Sequence, residues 1–161
     1  MFGAKETRRH MSVRPSHGRV SSFSQSDAAK VAAEVARVEQ FTSAQIKVVV
    51  LRHSWIDIRD RASQVFRKHG LDKTEQRNCV LILLVLTNRE FAVFGDRGIH
   101  RHVGQAFWDD VRNAIAGHLA EGRLGEGITA GVRLIGAQLC HFFPKNSNTC
   151  NEISDDVIVQ K

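Results

Sequence analysis

Two ionisable residues at the ends of predicted strands have the types that phosphate chemistry needs. Asp96 follows the apolar run 91–94 in the stretch FAVFGDRG, and Arg77 precedes the apolar run 79–86. A carboxylate at a strand end suits a hard cation such as calcium, or a base that positions water. A guanidinium binds phosphate through two parallel hydrogen bonds. The sequence therefore predicts Asp96 and Arg77 as candidate catalytic residues, with Asp96 also a candidate metal ligand.

Both residues also have a structural interpretation, which the sequence leaves open. Asp96 stands where a helix begins, so its carboxylate could cap backbone amides there. Arg77 would then form a salt bridge to Asp96 across the hairpin ends. The same chain geometry predicts a phosphate clamp or a salt bridge.

Four neutral residues near these strand ends are candidate cofactor-binding residues: Gly95, Gly98, Asn78 and Thr74. Asn78 and Thr74 could bind an ion or cap the entry to a strand, and the structural role is favoured. The glycines precede a helix, and the N-terminus of a helix can bind a phosphate group. Together with Gly104, however, their spacing matches neither GxGxxG nor a Walker loop. Turn glycines with positive φ are therefore the preferred interpretation.

Covalent phosphatase mechanisms are not indicated. Cys79 has no arginine six positions later, and Asp96 has no second aspartate two positions later. Neither a cysteinyl-phosphate nor an aspartyl-phosphate intermediate is therefore expected. Any phosphatase activity would use a metal ion to activate water.

The elements that would position these residues follow from hydrophobic periodicity. Helices are predicted over about 26–40, 57–70, 98–122 and 128–142, and strands over 45–51, 79–86 and 90–94. Residues 26 and 27, Ser and Asp, are the predicted cap of the first helix. The order α-β-α-β-β-α-α predicts an α/β layered sandwich, with helices flanking a small mixed sheet.

This topology brings the candidate residues together. A helical crossover makes the first two strands parallel, and a tight turn makes the second and third antiparallel. The starts of the first two strands and the end of the third then lie at one sheet edge. We therefore expect Gln45, Arg77 and Asp96 to lie close together there.

Composition limits the partners. The net charge is +6, but residues 1–25 hold five basic residues and one acidic residue, so the rest of the chain is nearly balanced. The sequence predicts a basic disordered arm over 1–25, an α/β domain over 26–157 and a tail over 158–161. It predicts no nucleic-acid partner and no transmembrane segment, since the longest apolar run is too short. Three cysteines without metal spacing favour a reducing, cytoplasmic location.

Several motifs in order resemble the TPM domain family. They are TSAQI before the first strand, KTEQRNCVLILL into the second, FAVFGDRGIH out of the third, VGQAFW on the next helix and a closing NEISDDV. The resemblance covers about residues 27–157 and implies an α/β sandwich. It also implies a disputed activity, because plant members are described as calcium-binding acid phosphatases whereas bacterial members are mostly uncharacterised.

The resemblance implies a cation site to which Gln45 would contribute as a metal ligand. Many relatives carry glutamate at this position, and an amide removes one negative charge, which weakens calcium binding. The preferred hypothesis is an accessory module that binds an ion or a protein partner, such as a membrane-associated TPM-type protein. The alternative is an acid phosphatase that depends on calcium or another divalent cation and hydrolyses phosphomonoesters.

Overall fold

The computed structural model describes residues 22–146 and 154–160. Within these residues, four helices and four strands form an α/β fold in the order α-β-α-β-β-α-α-β. The helices are α1 (Gln25–Glu39), α2 (Ile58–Lys68), α3 (Arg97–Ala120) and α4 (Leu124–Phe142), and a short 3-10 helix covers Leu71–Lys73. The strands are β1 (Gln45–Leu51), β2 (Cys79–Val85), β3 (Glu90–Gly95) and β4 (Ile158–Gln160). The predicted fold class is confirmed.

One mixed sheet has the strand order β3-β2-β1-β4. β1 runs parallel to β2, with Gln45 opposite Cys79, and β2 runs antiparallel to β3, with Val80 opposite Gly95. Both pairings were predicted from the crossover and the hairpin. β4 was not predicted: it pairs parallel with β1, so residues assigned to a tail form the fourth strand.

Each face of the sheet has its own hydrophobic core. Alternate residues of β1, such as Val48 and Val50, face α1, α3 and α4, while Val49 and Leu51 face α2. β1 and β2 are buried along their whole length because helices cover both faces. Their apolar, β-branched sequences are typical of such central strands. The ends of these strands are therefore fixed in place by the core.

The helices differ from the predictions in three details, the first being that α4 begins at Leu124 and not near residue 128. The cap of α1 is Ser24 and not Ser26, because Ser24 and Asp27 form a capping box in which each side chain bonds the other's backbone N–H. α3 is interrupted at Gly104, whose φ of 69° lies in the left-handed region. The predicted arm lies outside the described residues up to residue 21. Among the described residues, no helix has the length and apolarity needed to span a bilayer.

Candidate functional site

The strand ends that carry the candidate residues meet at one edge of the sheet. Cys79, the first residue of β2, lies opposite Gln45, and its carbonyl accepts a hydrogen bond from the Asp96 N–H at 2.9 Å. Gln45 N donates to Asn78 O at 3.3 Å. The three strand ends therefore converge as the chain topology predicts, but β2 separates Gln45 from Asp96.

Asp96 and Arg77 form a two-point ion pair at this edge. Arg77 Nε lies 2.7 Å from Asp96 Oδ2, and Arg77 Nη2 lies 3.2 Å from Oδ1. Asp96 has no exposed surface, whereas about a quarter of the Arg77 side chain is exposed. The hydrogen bond to Asp96 raises the pKa of Arg77 above its usual value. The salt bridge, one of the two alternatives open from the sequence, is the contact observed.

Asp96 also caps α3, which is the other structural interpretation. Its Oδ1 accepts a hydrogen bond from the Arg97 N–H at 2.7 Å, and its backbone has the extended conformation of an N-cap residue. A buried carboxylate needs such partners, because burying a charge without them is costly. Both oxygens of Asp96 are thus engaged within the protein.

The Arg77 backbone is held in an uncommon conformation. Its φ is 51°, a region that costs a non-glycine residue about 1–3 kcal/mol. The Arg77 N–H donates to Thr74 O at 3.2 Å, and the Arg77 carbonyl accepts from the Gly98 N–H at 2.9 Å. These bonds and the pair with Asp96 fix the turn before β2 against the start of α3.

The glycines of the edge allow close packing. A Cβ on Gly98 would collide with the backbone oxygens of Gln76 and Arg77, and a Cβ on Gly95 would collide with the Trp108 ring. Positive φ was predicted for both glycines and for Gly104. That prediction is confirmed for Gly104 and wrong for Gly95 and Gly98, where steric space and not backbone freedom requires glycine.

Asn78 and Thr74 occupy structural positions in the turn between α2 and β2. Asn78 Nδ2 donates to Gln76 Oε1 at 3.2 Å and lies 3.5 Å from Ser43 Oγ, which links the starts of β1 and β2. Ser43 Oγ donates to the same Gln76 oxygen at 3.1 Å. The Thr74 hydroxyl is buried and forms no hydrogen bond within the described part of the chain.

The predicted donor set, Asp96 and Gln45, does not fit a calcium ion. Calcium takes six to eight oxygen ligands at about 2.3–2.6 Å, including carboxylates. Asp96 is the carboxylate among the predicted ligands, and the Arg77 guanidinium and the Arg97 N–H already occupy its oxygens. Cys79 lies between Gln45 and Asp96, so their Cα atoms are two strand spacings apart, roughly 10 Å. Over residues 22–146 and 154–160, no three His, Cys, Asp or Glu side chains group as a metal site would require.

A groove of about 680 Å³ lies between α1 and α4, but its charges neutralise one another. Glu34 on α1 pairs with Arg37 at 2.5 Å and with Arg133 on α4 at 3.2 Å. Arg123 pairs with Glu126 at 2.6 Å. The groove therefore offers little net charge to a ligand, and the Glu34–Arg133 pair joins the two helices.

The opposite edge of the sheet carries an exposed tryptophan that the sequence reasoning missed. Trp55 is 92% exposed and Ile56 is 40% exposed, in the loop between β1 and α2. Asn88 holds this loop: its Nδ2 donates to Ser54 O at 2.9 Å, and its Oδ1 accepts from the Ser54 N–H at 3.3 Å. The signal in the sequence is the pair of large apolar residues in the polar stretch RHSWID.

Comparison with known proteins supplies a family. A family model described as TPM domain matches residues 19–138. The chain is similar to the BA42 protein of the psychrophilic bacterium Bizionia argentinensis, with 29% identity, a TM-score of 0.80, and coverage of 88% of this chain and 99% of that chain. Among curated proteins, none matches significantly.

Two further solved structures share the fold. The N-terminal domain of a protein from P. gingivalis is 18% identical, with a TM-score of 0.61 over 72% of this chain and 75% of that chain. The N-terminal domain of the cg2496 protein from Corynebacterium glutamicum is 20% identical, with a TM-score of 0.56 over 80% of each chain.

Proposed function

The chain belongs to the TPM domain family, and we propose that it is an accessory module that binds a protein partner and has no catalytic activity of its own. The burial of Asp96, with both carboxylate oxygens bonded to Arg77 and Arg97, is the observation that carries this proposal. A module of this kind needs a stable scaffold and an exposed contact surface. The ion pair between Asp96 and Arg77 stabilises the scaffold. The loop between β1 and α2, which carries Trp55 and is called the Trp55 loop, provides the exposed contact surface.

The surroundings of Asp96 argue against a catalytic role. A general base or metal ligand must present an oxygen to water or to a cation. Asp96 is fully buried, and the nearest cation is the Arg77 guanidinium. The alternative, a phosphatase that depends on a divalent cation, uses Asp96 as ligand and Arg77 as phosphate clamp. It requires this ion pair to separate, which would leave a buried carboxylate without its partner.

The Trp55 loop has the features of a protein-binding surface. Tryptophan is enriched among the residues that contribute most to the binding energy of interfaces. Trp55 is almost fully exposed on a loop held by Asn88, so binding would cost little loop ordering. Residues 52–60 and 87–90 hold three basic and three acidic side chains, a mixture that suits a protein partner better than an anionic membrane.

A phosphatase assay separates the two functions. Purified protein would be assayed against a phosphomonoester between pH 5 and 8 with calcium or magnesium, beside Asp96→Asn and Arg77→Lys. Asp57→Asn is the matched control, because Asp57 caps α2 at the surface. We expect no hydrolysis that depends on Asp96 or Arg77. An activity retained through purification, and lost in a folded Asp96→Asn or Arg77→Lys protein, would establish the phosphatase instead.

Site-specific cross-linking tests the partner surface. A photo-reactive residue at position 55 would be compared with one at position 41, since Phe41 is also exposed but lies at the other end of β1. We expect one specific protein to be captured from position 55 and not from position 41. Binding of that purified protein should weaken at least tenfold in Trp55→Ala and stay unchanged in Phe41→Ala. Equal capture at both positions, or unchanged binding in Trp55→Ala, would exclude the Trp55 loop as the contact.

A further inference from the structure

The start of α3 and the end of α4 carry positive charges with no acidic residue near them in the sequence. Residues 97–108 and 127–146 contain four basic residues, three histidines and no acidic residue. Arg97, Arg101 and Lys145 are exposed and form no salt bridge within the described part of the chain, whereas the fourth basic residue pairs with an acid of α1. Arg97 and Arg101 are four residues apart, so they lie on the same side of the helix.

Ring contacts join these two helix ends. The His102 ring of α3 stacks on Phe142 of α4, with centroids 4.8 Å apart and an angle of 20° between the planes. It also meets the edge of Phe143 at 5.4 Å, and His141 contacts Phe142 at 4.7 Å. The basic residues of α3 and those after α4 therefore belong to one surface.

An exposed phenylalanine lies beside these charges. Phe41 precedes β1 and is 60% exposed, and its carbonyl accepts a hydrogen bond from the Lys145 N–H at 3.1 Å. The next residue, Thr42, donates from Oγ1 to Leu139 O at 3.0 Å and so ties this turn to α4. We call this surface the basic end, and its members are Phe41, Arg97, Arg101, His102, His141 and Lys145.

The acidic residues near this surface leave its positive charge in excess. Glu39 and Asp96 are buried, and Asp72 lies after α2, on the opposite face of the sheet from α3. The C-terminal segment 154–160 leads into β4, and β1 and β2 separate that strand from the one that leads into α3. Glu75 is exposed in the turn before β2, which packs against the first turn of α3. It places a single negative charge beside three positive ones.

We propose that the basic end binds the anionic headgroups of a phospholipid bilayer, with the Phe41 ring entering the boundary between headgroups and acyl chains. Basic side chains are attracted to anionic lipids, and an exposed aromatic ring beside them adds buried apolar area at the interface. This contact goes beyond the proposed function and does not depend on it. The Trp55 loop follows the other end of β1, so it stays accessible to a protein partner when the basic end lies on a bilayer.

The arrangement of the rings favours lipid over single-stranded nucleic acid as the anionic partner. Proteins that bind single strands present free aromatic faces on which successive bases stack. Here His102 and Phe142 stack on each other, and Phe41 is the well-exposed ring of the basic end. One apolar ring among cations suits the surface of a bilayer better than a row of bases.

Co-sedimentation with lipid vesicles tests this proposal in the full chain. Purified protein would be mixed with vesicles of phosphatidylcholine alone, or of phosphatidylcholine with phosphatidylglycerol, at low and high salt. We expect binding to the phosphatidylglycerol vesicles to be at least about tenfold stronger than to phosphatidylcholine alone, and to weaken as salt is added.

Variants locate the contact on the surface. We expect Arg101→Glu and Phe41→Ala each to weaken vesicle binding at least about fivefold, and Glu75→Gln to strengthen it. Arg67→Glu is the matched control, because Arg67 is exposed on α2 and its replacement changes the net charge equally. Trp55→Ala is the control for an exposed aromatic residue, and both controls should bind within about twofold of wild type. Because Trp55→Ala tests the protein partner and Phe41→Ala the bilayer, the two proposals can fail separately.

Three results would overturn the proposal. The first is no binding to phosphatidylglycerol vesicles at low salt. The second is an equal loss in Arg101→Glu and Arg67→Glu, which would mean that net charge alone drives binding. The third is tighter binding to a single-stranded oligonucleotide that Arg101→Glu abolishes, which would assign the surface to nucleic acid. Thermal melts check that each variant is folded, and Arg101→Glu decides if Phe41→Ala is not.

Discussion

The Asp96 carboxylate accepts hydrogen bonds from both Nε and Nη2 of Arg77, at 2.7 Å and 3.2 Å, and has no exposed surface. Arg77 comes from the turn before β2, and Asp96 from the junction of β3 and α3. The pair therefore joins three elements of the fold at the edge where a catalytic site was expected. The loss of this ion pair should therefore lower the stability of the fold.

Removing the Asp96 carboxylate should destabilise the protein strongly. Asp96→Ala leaves the Arg77 guanidinium and the Arg97 N–H without their partner, and breaking a buried ion pair costs about 3–5 kcal/mol. Asp57→Ala is the matched control because Asp57 is an exposed N-cap, for which the loss is about 0.5–2 kcal/mol. Urea unfolding measures both. Equal losses in the two variants would show that Asp96 acts only as a helix cap.

Gly98 should tolerate no side chain. A Cβ at this position meets the backbone oxygens of Gln76 and Arg77, which cannot move without breaking the turn. We expect Gly98→Ala to lower the free energy of unfolding by at least about 1–3 kcal/mol, as overpacking does. Gly117→Ala, in open space on α3, should raise it by about 0.5–1 kcal/mol. If thermal melting shifts in the same direction in both variants, steric space at Gly98 is not the reason for its glycine.

The two tryptophans should behave oppositely in fluorescence and stability. Trp108 is fully buried against Gly95, and Trp55 is almost fully exposed. Iodide should quench the wild-type protein through Trp55, and this quenching should disappear in Trp55→Phe. Trp108→Ala should cost about 3–5 kcal/mol, whereas Trp55→Ala should change stability by less than about 0.5 kcal/mol. A large loss of stability in Trp55→Ala would mean that the loop contributes to the core.

Lys47 should stabilise the C-terminal segment. Lys47→Met leaves the carbonyls of Ser154 and Asp156 without a donor, which costs about 1–3 kcal/mol if they stay buried. The Arg52 N–H donates to Gln160 O in this segment. We therefore expect faster amide hydrogen exchange at Arg52 and a smaller free energy of unfolding. Lys30→Met is the control, because Lys30 is exposed on α1 and its loss should matter by less than about 0.5 kcal/mol. Unchanged Arg52 protection in Lys47→Met would exclude a role for Lys47 in docking the segment.

The central elements of the fold were predictable because local pattern and tertiary environment agree. β2 is a continuous apolar run, β1 is rich in β-branched residues, and the hairpin between β2 and β3 requires a short turn. Topology then placed Arg77 beside Asp96 without further information. The sequence did not decide whether Arg77 and Asp96 bind each other or bind a ligand, because the same positions of the two residues allow either.

The parts that were missed depend on contacts between distant residues. β4 has three residues and no period of its own, so its position follows from pairing with β1, far earlier in the chain. Lys47 has no evident role in an apolar strand until the carbonyls of Ser154 and Asp156 are beside it. Positive φ was assigned to Gly98 from residue type, whereas its actual constraint is the backbone of Gln76 on another segment.

An NMR titration measures whether the strand ends around Asp96 bind a divalent cation or phosphate. Labelled protein would receive calcium and magnesium to millimolar concentration and then inorganic phosphate, with the amide signals of Gln45, Arg77, Asn78 and Asp96 followed throughout. We expect no specific shift at these residues, because Arg77 and Arg97 already satisfy the Asp96 carboxylate. Saturable shifts concentrated on these four residues would contradict it and would identify the edge as a ligand site.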